Sequence, residues 1–189
     1  MQTAEHAGRL FLLSLLCVSL LAARCDVPTG GSDSGGGGSG EGGRRASDAK
    51  RTYPLDSLPT STVVANGHIF RVWLVQEFDT KRPGAVTEGL MHVPSSEIAD
   101  DQGMLFVFSD ERLLSFWMRN TVAPLDVAFA RLNGTIVKIW QMPPLTLQTF
   151  PSIEPAIFAL EVKQGTFQRL GIREGDRLLV PADVFKTQP

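Results

Sequence analysis

TVVANGHIFRVWLV, residues 62–75, is the stretch whose reading decides the fold. Two runs rich in β-branched and aromatic residues flank Asn66-Gly67. That pair suits a two-residue hairpin turn, because both central positions need positive φ. The same grammar recurs further on, where LDVAFARL (residues 125–132) and TIVKIWQ (135–141) flank Asn133-Gly134. Working outward, strands are expected at residues 103–109 (GMLFVFS), 113–118 (LLSFWM), 156–162 (AIFALEV) and 176–180 (DRLLV). Short helices are expected near residues 80–90 and 164–170. Short strands punctuated by Gly, Pro and Asn predict a mainly β fold: a single compact β-sandwich, jelly-roll-like or barrel domain with one or two short helices.

Side-chain parity refines this. In residues 125–130, Leu125, Val127 and Phe129 share one face, and Asp126, Ala128 and Ala130 the other. In residues 158–163, Phe158, Leu160 and Val162 oppose Ala159, Glu161 and Lys163. Both patterns predict half-buried strands with the larger side chains inward. Residues 104–108 (MLFVF) are apolar in both phases, which predicts a strand covered on both sides near the middle of the fold.

The N-terminal third is made of different material. Ten of the 18 glycines and both cysteines precede Lys50. Residues 10–23 (LFLLSLLCVSLLAA) form an uncharged apolar run of 14, short of the roughly 20 needed to span a bilayer as a helix. It fits the core of a secretory signal peptide, preceded by Arg9 as the positive flank. Cleavage after Cys25 satisfies a loose small-x-small rule at Ala23 and Cys25. Alternatively Cys25 becomes the first mature residue and carries lipid, although Arg24 is a poor match to the usual lipoprotein signal. The Gly/Ser-rich run that follows favours lipidation, since a tether makes sense only if its other end is held. Cys17 would be discarded with the signal, leaving Cys25 unpaired. The expected organisation is a signal peptide over 1–24, a flexible tether over 25–58 and a β-rich domain over 59–189. An exported protein follows, either lipid-anchored in the cell envelope or periplasmic and secreted.

Charge and composition exclude several classes. The chain has 189 residues and a net charge of -2, and residues 51–189 hold 13 basic and 15 acidic residues. A nucleic-acid partner would call for a basic surplus, so none is expected. Membrane association is expected only through the N-terminal lipid. The folded part has no cysteine, which removes disulfides and thiolate metal sites. No Gly-x-Ser-x-Gly elbow and no phosphate-cradling glycine loop opens a helix, and no cofactor or metal is expected.

Three groups of residues can carry chemistry. Trp117, Arg119 and Asn120 place an indole, a guanidinium and an amide together, a combination that holds anionic or sugar-like groups. The plainer reading is that Trp117 packs, Arg119 pairs with a carboxylate and Asn120 shapes a turn. Asp126 and Glu161 sit in otherwise apolar strands, so each needs a partner if covered. Facing one cleft they would make an acid/base pair or bind a hard cation; the structural account, favoured here, has each accept hydrogen bonds from backbone or from Arg119 or Arg173, with one of them within hydrogen-bonding distance of Arg119. Met91 and His92, with Met104 and Met118, offer thioethers and an imidazole to a soft metal, but the methionines also read as core fillers.

Six blocks carry a resemblance: Gly89-Leu90-Met91-His92; residues 103–108; Phe116-Trp117-Met118-Arg119-Asn120-Thr121; Pro124-Leu125-Asp126-Val127; Leu160-Glu161-Val162; and residues 171–176 (GIREGD). In order and spacing the chain resembles the bacterial and archaeal domain-of-unknown-function family 192, from about Val63 to Val180. The resemblance implies a compact, mostly β domain of sandwich or jelly-roll type, often exported or lipid-anchored, with no established activity. One departure is Val93, where many members carry an arginine or another polar residue. The leading functional expectation is an envelope-tethered or secreted β-domain binding a small polar ligand or an envelope protein partner. Its site would comprise Trp117, Arg119, Asn120, Asp126, Glu161, Met91 and His92. A hydrolase using Asp126 and Glu161, and a structural accessory domain without a ligand site, are the alternatives. The balance lies against an enzyme.

Overall fold

The computed structural model describes residues 46–186. The expected signal peptide, Cys25 and the Gly/Ser-rich run lie outside the described residues. The elements are β1 (Thr60–Ala65), β2 (His68–Gln76), α1 (Ala85–Glu88), β3 (Gln102–Arg112), β4 (Ser115–Phe116) and β5 (Leu125–Ala130). After them come β6 (Ile136–Met142), β7 (Phe150–Pro151), β8 (Ala156–Lys163), α2 (Thr166–Arg169) and β9 (Leu178–Leu179). The fold is mainly β, as the sequence predicts, and each α-helix is one turn long.

Seven strands form one sheet in the order β6-β5-β8-β3-β2-β1-β9, curled as a half-barrel, while β4 and β7 make a separate two-stranded ribbon. The first hairpin closes through Asn66 (φ 48°) and Gly67 (φ 78°), both left-handed as the Asn-Gly turn requires. Ala65 pairs directly with His68. The second hairpin is looser than a two-residue turn. Gly134 N–H donates to Arg131 O, Asn133 Oδ1 accepts from Thr135 N–H, and the β5–β6 ladder slips at Phe129/Ala130. β3 is the fourth strand of seven, and residues 104–108 are buried in both phases, as the doubly apolar run predicts. The expected strands near residues 113–118 and 176–180 shrink to two residues each.

A half-buried reading of β5 and β8 does not hold, because every residue of β5 and all of β8 except Lys163 are buried. The register explains it. Val127 lies opposite Glu161 and Asp126 opposite Val162, so the larger side chains of one strand share a face with the smaller ones of the next. Both faces are therefore covered. On one face Phe116 from the ribbon sits edge-on to Phe106 (4.9 Å) and Phe129 (5.2 Å). On the other, Phe167 of α2 meets Phe70 at 6.5 Å.

β2 and β3 are parallel, the one such pair in the sheet, so the chain between them must cross over. That crossover, residues 77–101, carries α1 and the Gly89-Leu90-Met91 loop onto the Phe106 face. The folded part also starts earlier than the expected boundary at residue 59. Ser47, Asp48, Arg51, Leu55 and Leu58 are all buried, Leu55 completely. Residues 47–58 thus belong to the domain and not to a tether.

Candidate functional site

Strand alternation decides where the two candidate carboxylates point. Because Glu161 is paired with Val127 and with Met104 of β3, it projects to the face that carries Phe106 and Phe129. Asp126, paired with Val162, projects to the opposite face. The two cannot face one cleft, so the acid/base pair expected for a hydrolase is not formed. Arg119 reaches neither of them. Its partner is the Trp117 ring, 5.5 Å from the guanidinium carbon, and the expected Arg119–carboxylate bond is absent among the described residues.

Asp126 has a structural task. It is 1 % exposed, and its Oδ2 accepts the Phe167 N–H at 3.3 Å, fixing the start of α2 against the sheet. Burial pushes its carboxyl above the ordinary carboxylate range, partly countered by the backbone N–H groups of Gly165, Phe167 and Thr166. Beside it lies a depression of about 370 Å³ rimmed by exposed Gln141, Gln168, Arg173 and Glu174.

Glu161 differs in that no backbone N–H supports its carboxyl. It is 4 % exposed, and Oε2, like Asp126 Oδ1, has no hydrogen-bond partner in the protein. Desolvation alone raises its pKa to about 8, because no cation stands near enough to favour the charged form. It forms the base of a cavity of about 190 Å³ whose walls include Gly89, Met91, Phe106, Phe116 and Trp117. Trp117, 40 % exposed, brings the cavity to the surface.

The roof depends on local backbone chemistry. Gly89 ends α1 at φ 49°, ψ -131°, a conformation that L side chains rarely adopt. A Cβ there would stand 3.2 Å from Phe106 Cζ and 3.9 Å from Glu161 Oε2. Behind the roof, Arg51 donates through Nη1 to Gly89 O (2.8 Å) and Met91 O (2.9 Å), and through Nε to Tyr53 O (3.0 Å). Its Nη2 lies 3.7 Å from Glu88, whose carboxylate also accepts the Thr52 and Tyr53 N–H groups. The roof is thus bolted to the segment that precedes β1.

Of the sequence candidates, Trp117, Glu161 and Met91 come together in this cavity. Arg119 stands beside it on Trp117. Asn120 is a turn residue at φ 57°, its carbonyl accepting the His92 N–H at 2.8 Å. His92 lines a separate depression with Ser47, Lys50 and Glu97, while Met104 and Met118 are fully buried in the core. Val93 is fully buried, which suits an apolar residue at that corner. Among the described residues no three His, Cys, Asp or Glu side chains gather as metal ligands, and no helix is long and apolar enough to cross a membrane. Sequence reasoning missed Arg51, hidden in what read as tether, and the partnership of Gly89, Phe106 and Phe116, which only strand pairing creates.

A curled seven-stranded sheet, roofed by its one parallel crossover and holding a lone buried glutamate beneath aromatic walls, defines a class of small β-domain. The chain belongs to the DUF192 family, described as "Uncharacterized ACR", which it matches over residues 62–180. It is similar to a solved structure from Sinorhizobium meliloti, provisionally labelled a transcription regulator, with 35% identity over 64% of this chain and 93% of that one (TM-score 0.58). A protein of unknown function from Novosphingobium aromaticivorans shares 30% identity over 74% of this chain and 100% of that chain, with a TM-score of 0.61. Among curated proteins nothing matches.

Proposed function

We propose that this family member is an exported, envelope-tethered binding domain, and that its ligand lodges in the cavity between Glu161 and Trp117. One observation carries the reading: a buried carboxyl without a protein partner lies at the base of an aromatic-walled cavity that reaches the surface. Leaving a buried polar atom unpaired costs about 1–3 kcal/mol, a penalty that a ligand with a matching group removes. Aromatic walls with a few convergent polar groups are the usual make-up of a small-molecule site. A DNA-binding role, which the Sinorhizobium label would suggest, calls for a basic face, and residues 51–189 carry 13 basic against 15 acidic residues.

The test is a screen of metabolites and small glycans against the full-length protein by NMR. Hits should shift the Trp117 indole N–H and the Gly89 and Met91 amides, and Trp117→Ala should weaken them roughly tenfold or more, as expected for losing an aromatic wall. Hits that map elsewhere, or a screen without hits, would overturn the reading.

A further inference from the structure

The cavity over Glu161 is one-sided in charge. The ionisable side chains in its walls are Glu88 and Glu161, and no lysine, arginine or histidine is among them. Glu88 is already engaged by the Thr52 and Tyr53 N–H groups and by Arg51. Glu161 Oε2 is an acceptor with no donor. Phe106, Phe108, Phe116 and Trp117 supply aromatic surface around it, and rings attract cations through their quadrupoles; Phe108 and Trp117 already carry Arg112 (5.0 Å) and Arg119 (5.5 Å), which leaves Phe106 and Phe116 without a cation. The volume of about 190 Å³ suits a small-molecule occupant.

Resting on the pocket reading above, we propose that this cavity takes a small protonated amine. Its ammonium donates to Glu161 Oε2, and its alkyl part lies against Phe116 and Trp117. A neutral polyol would satisfy the acceptor but gain little from the rings, and an anion would meet two carboxyl groups.

The proposal has a proton balance. Of the groups facing Glu161, the crossover contributes Glu88, with Arg51 behind it. The sheet and the ribbon contribute Met104, Phe106, Val127 and Phe116, none of them titratable. Burial keeps the Glu161 carboxyl protonated near neutrality. An arriving ammonium keeps its own protons, and the Glu161 proton leaves to solvent. Affinity for the amine therefore rises about tenfold per pH unit up to about pH 8 and then levels.

The experiment titrates the full-length protein with n-butylammonium chloride and, separately, with n-butanol, following the Trp117 indole N–H by NMR. Butylammonium should saturate the shift with the stated pH dependence, and at about pH 8 and above, where both probes are compared, butanol should bind at least about tenfold more weakly, the factor that about 1.4 kcal/mol of charge pairing represents. Glu161→Gln keeps the shape of the protonated acid and so keeps the fold, and it should erase the preference for the amine. Butanol matching butylammonium, a flat pH profile, or undiminished amine binding by Glu161→Gln would each overturn the ammonium assignment while the pocket reading stands. Neither probe shifting Trp117 also overturns the assignment, and the pocket reading then stands or falls on the library screen.

Discussion

Glu161 concentrates the physical tension of this domain in one side chain. A carboxyl taken out of water, without a cation or a donor, favours its neutral form, and its pKa rises to about 8 against an ordinary 4.5. The folded state then holds a proton that the unfolded state releases between these two values. The linkage has a definite sign: the protein is most stable below about pH 4.5 as far as this group is concerned, and loses stability as pH rises toward 8. The limiting slope for one group is about 1.4 kcal/mol per pH unit. Glu161→Gln should flatten that part of the profile and raise Tm at pH 8 and above, as followed by thermal unfolding monitored by circular dichroism. An unchanged profile in the variant would mean that Glu161 is ionised in the native state. Asp126, raised in the same direction, adds to the slope and remains in the variant, so a residual dependence is expected.

At the scale of elements, the site is made by pieces that are distant in sequence. The hairpin at Asn66-Gly67 and the doubly buried MLFVF strand were legible because turn chemistry and binary pattern are local. Parity was also read correctly residue by residue, yet it misled about burial. It cannot show that β5 and β8 lie side by side with large and small side chains interleaved, or that both faces are covered. The same blindness separated Asp126 from Glu161: each was recognisable as a carboxylate in an apolar strand, but only the β5–β8 register sends them to opposite faces. Composition hid the segment before β1, since Gly/Ser-rich sequence runs almost up to it. Arg51 there is buried and binds the Gly89 and Met91 carbonyls, so Arg51→Ala leaves those carbonyls without their donor and Glu88 without its ion-pair partner. A loss of about 2–4 kcal/mol is expected, in the range for breaking a buried charged network. Truncation gives an independent check by chemical denaturation. A chain starting at residue 46 should keep its stability. One starting at residue 59 also loses the burial of Leu55 and Leu58, at about 1.5–3 kcal/mol each. Equal midpoints for the two truncations would show that the segment contributes nothing.

For the whole molecule, the question is what the N-terminal segment does beside the folded unit. The proposed answer is attachment at Cys25, with the folded part joined through the same segment that bolts the cavity roof. An acyl chain contributes about 0.8 kcal/mol per buried CH₂, and stable anchoring takes two hydrophobic signals, so a Cys25 carrying two or more acyl chains should partition firmly into membranes. Expression in a bacterial host followed by fractionation and intact mass measurement tests it. The wild type should be membrane-bound, begin at Cys25 and carry added acyl mass, whereas Cys25→Ser should appear in the soluble fraction. Because Cys25 lies well before Ser47, the first buried residue among the described ones, the substitution should leave Tm and butylammonium affinity unchanged, which separates attachment from folding and from binding. A soluble wild type whose mature chain begins after Cys25 would replace the anchor with plain secretion. The domain would then meet its ligand in free solution, not at a surface.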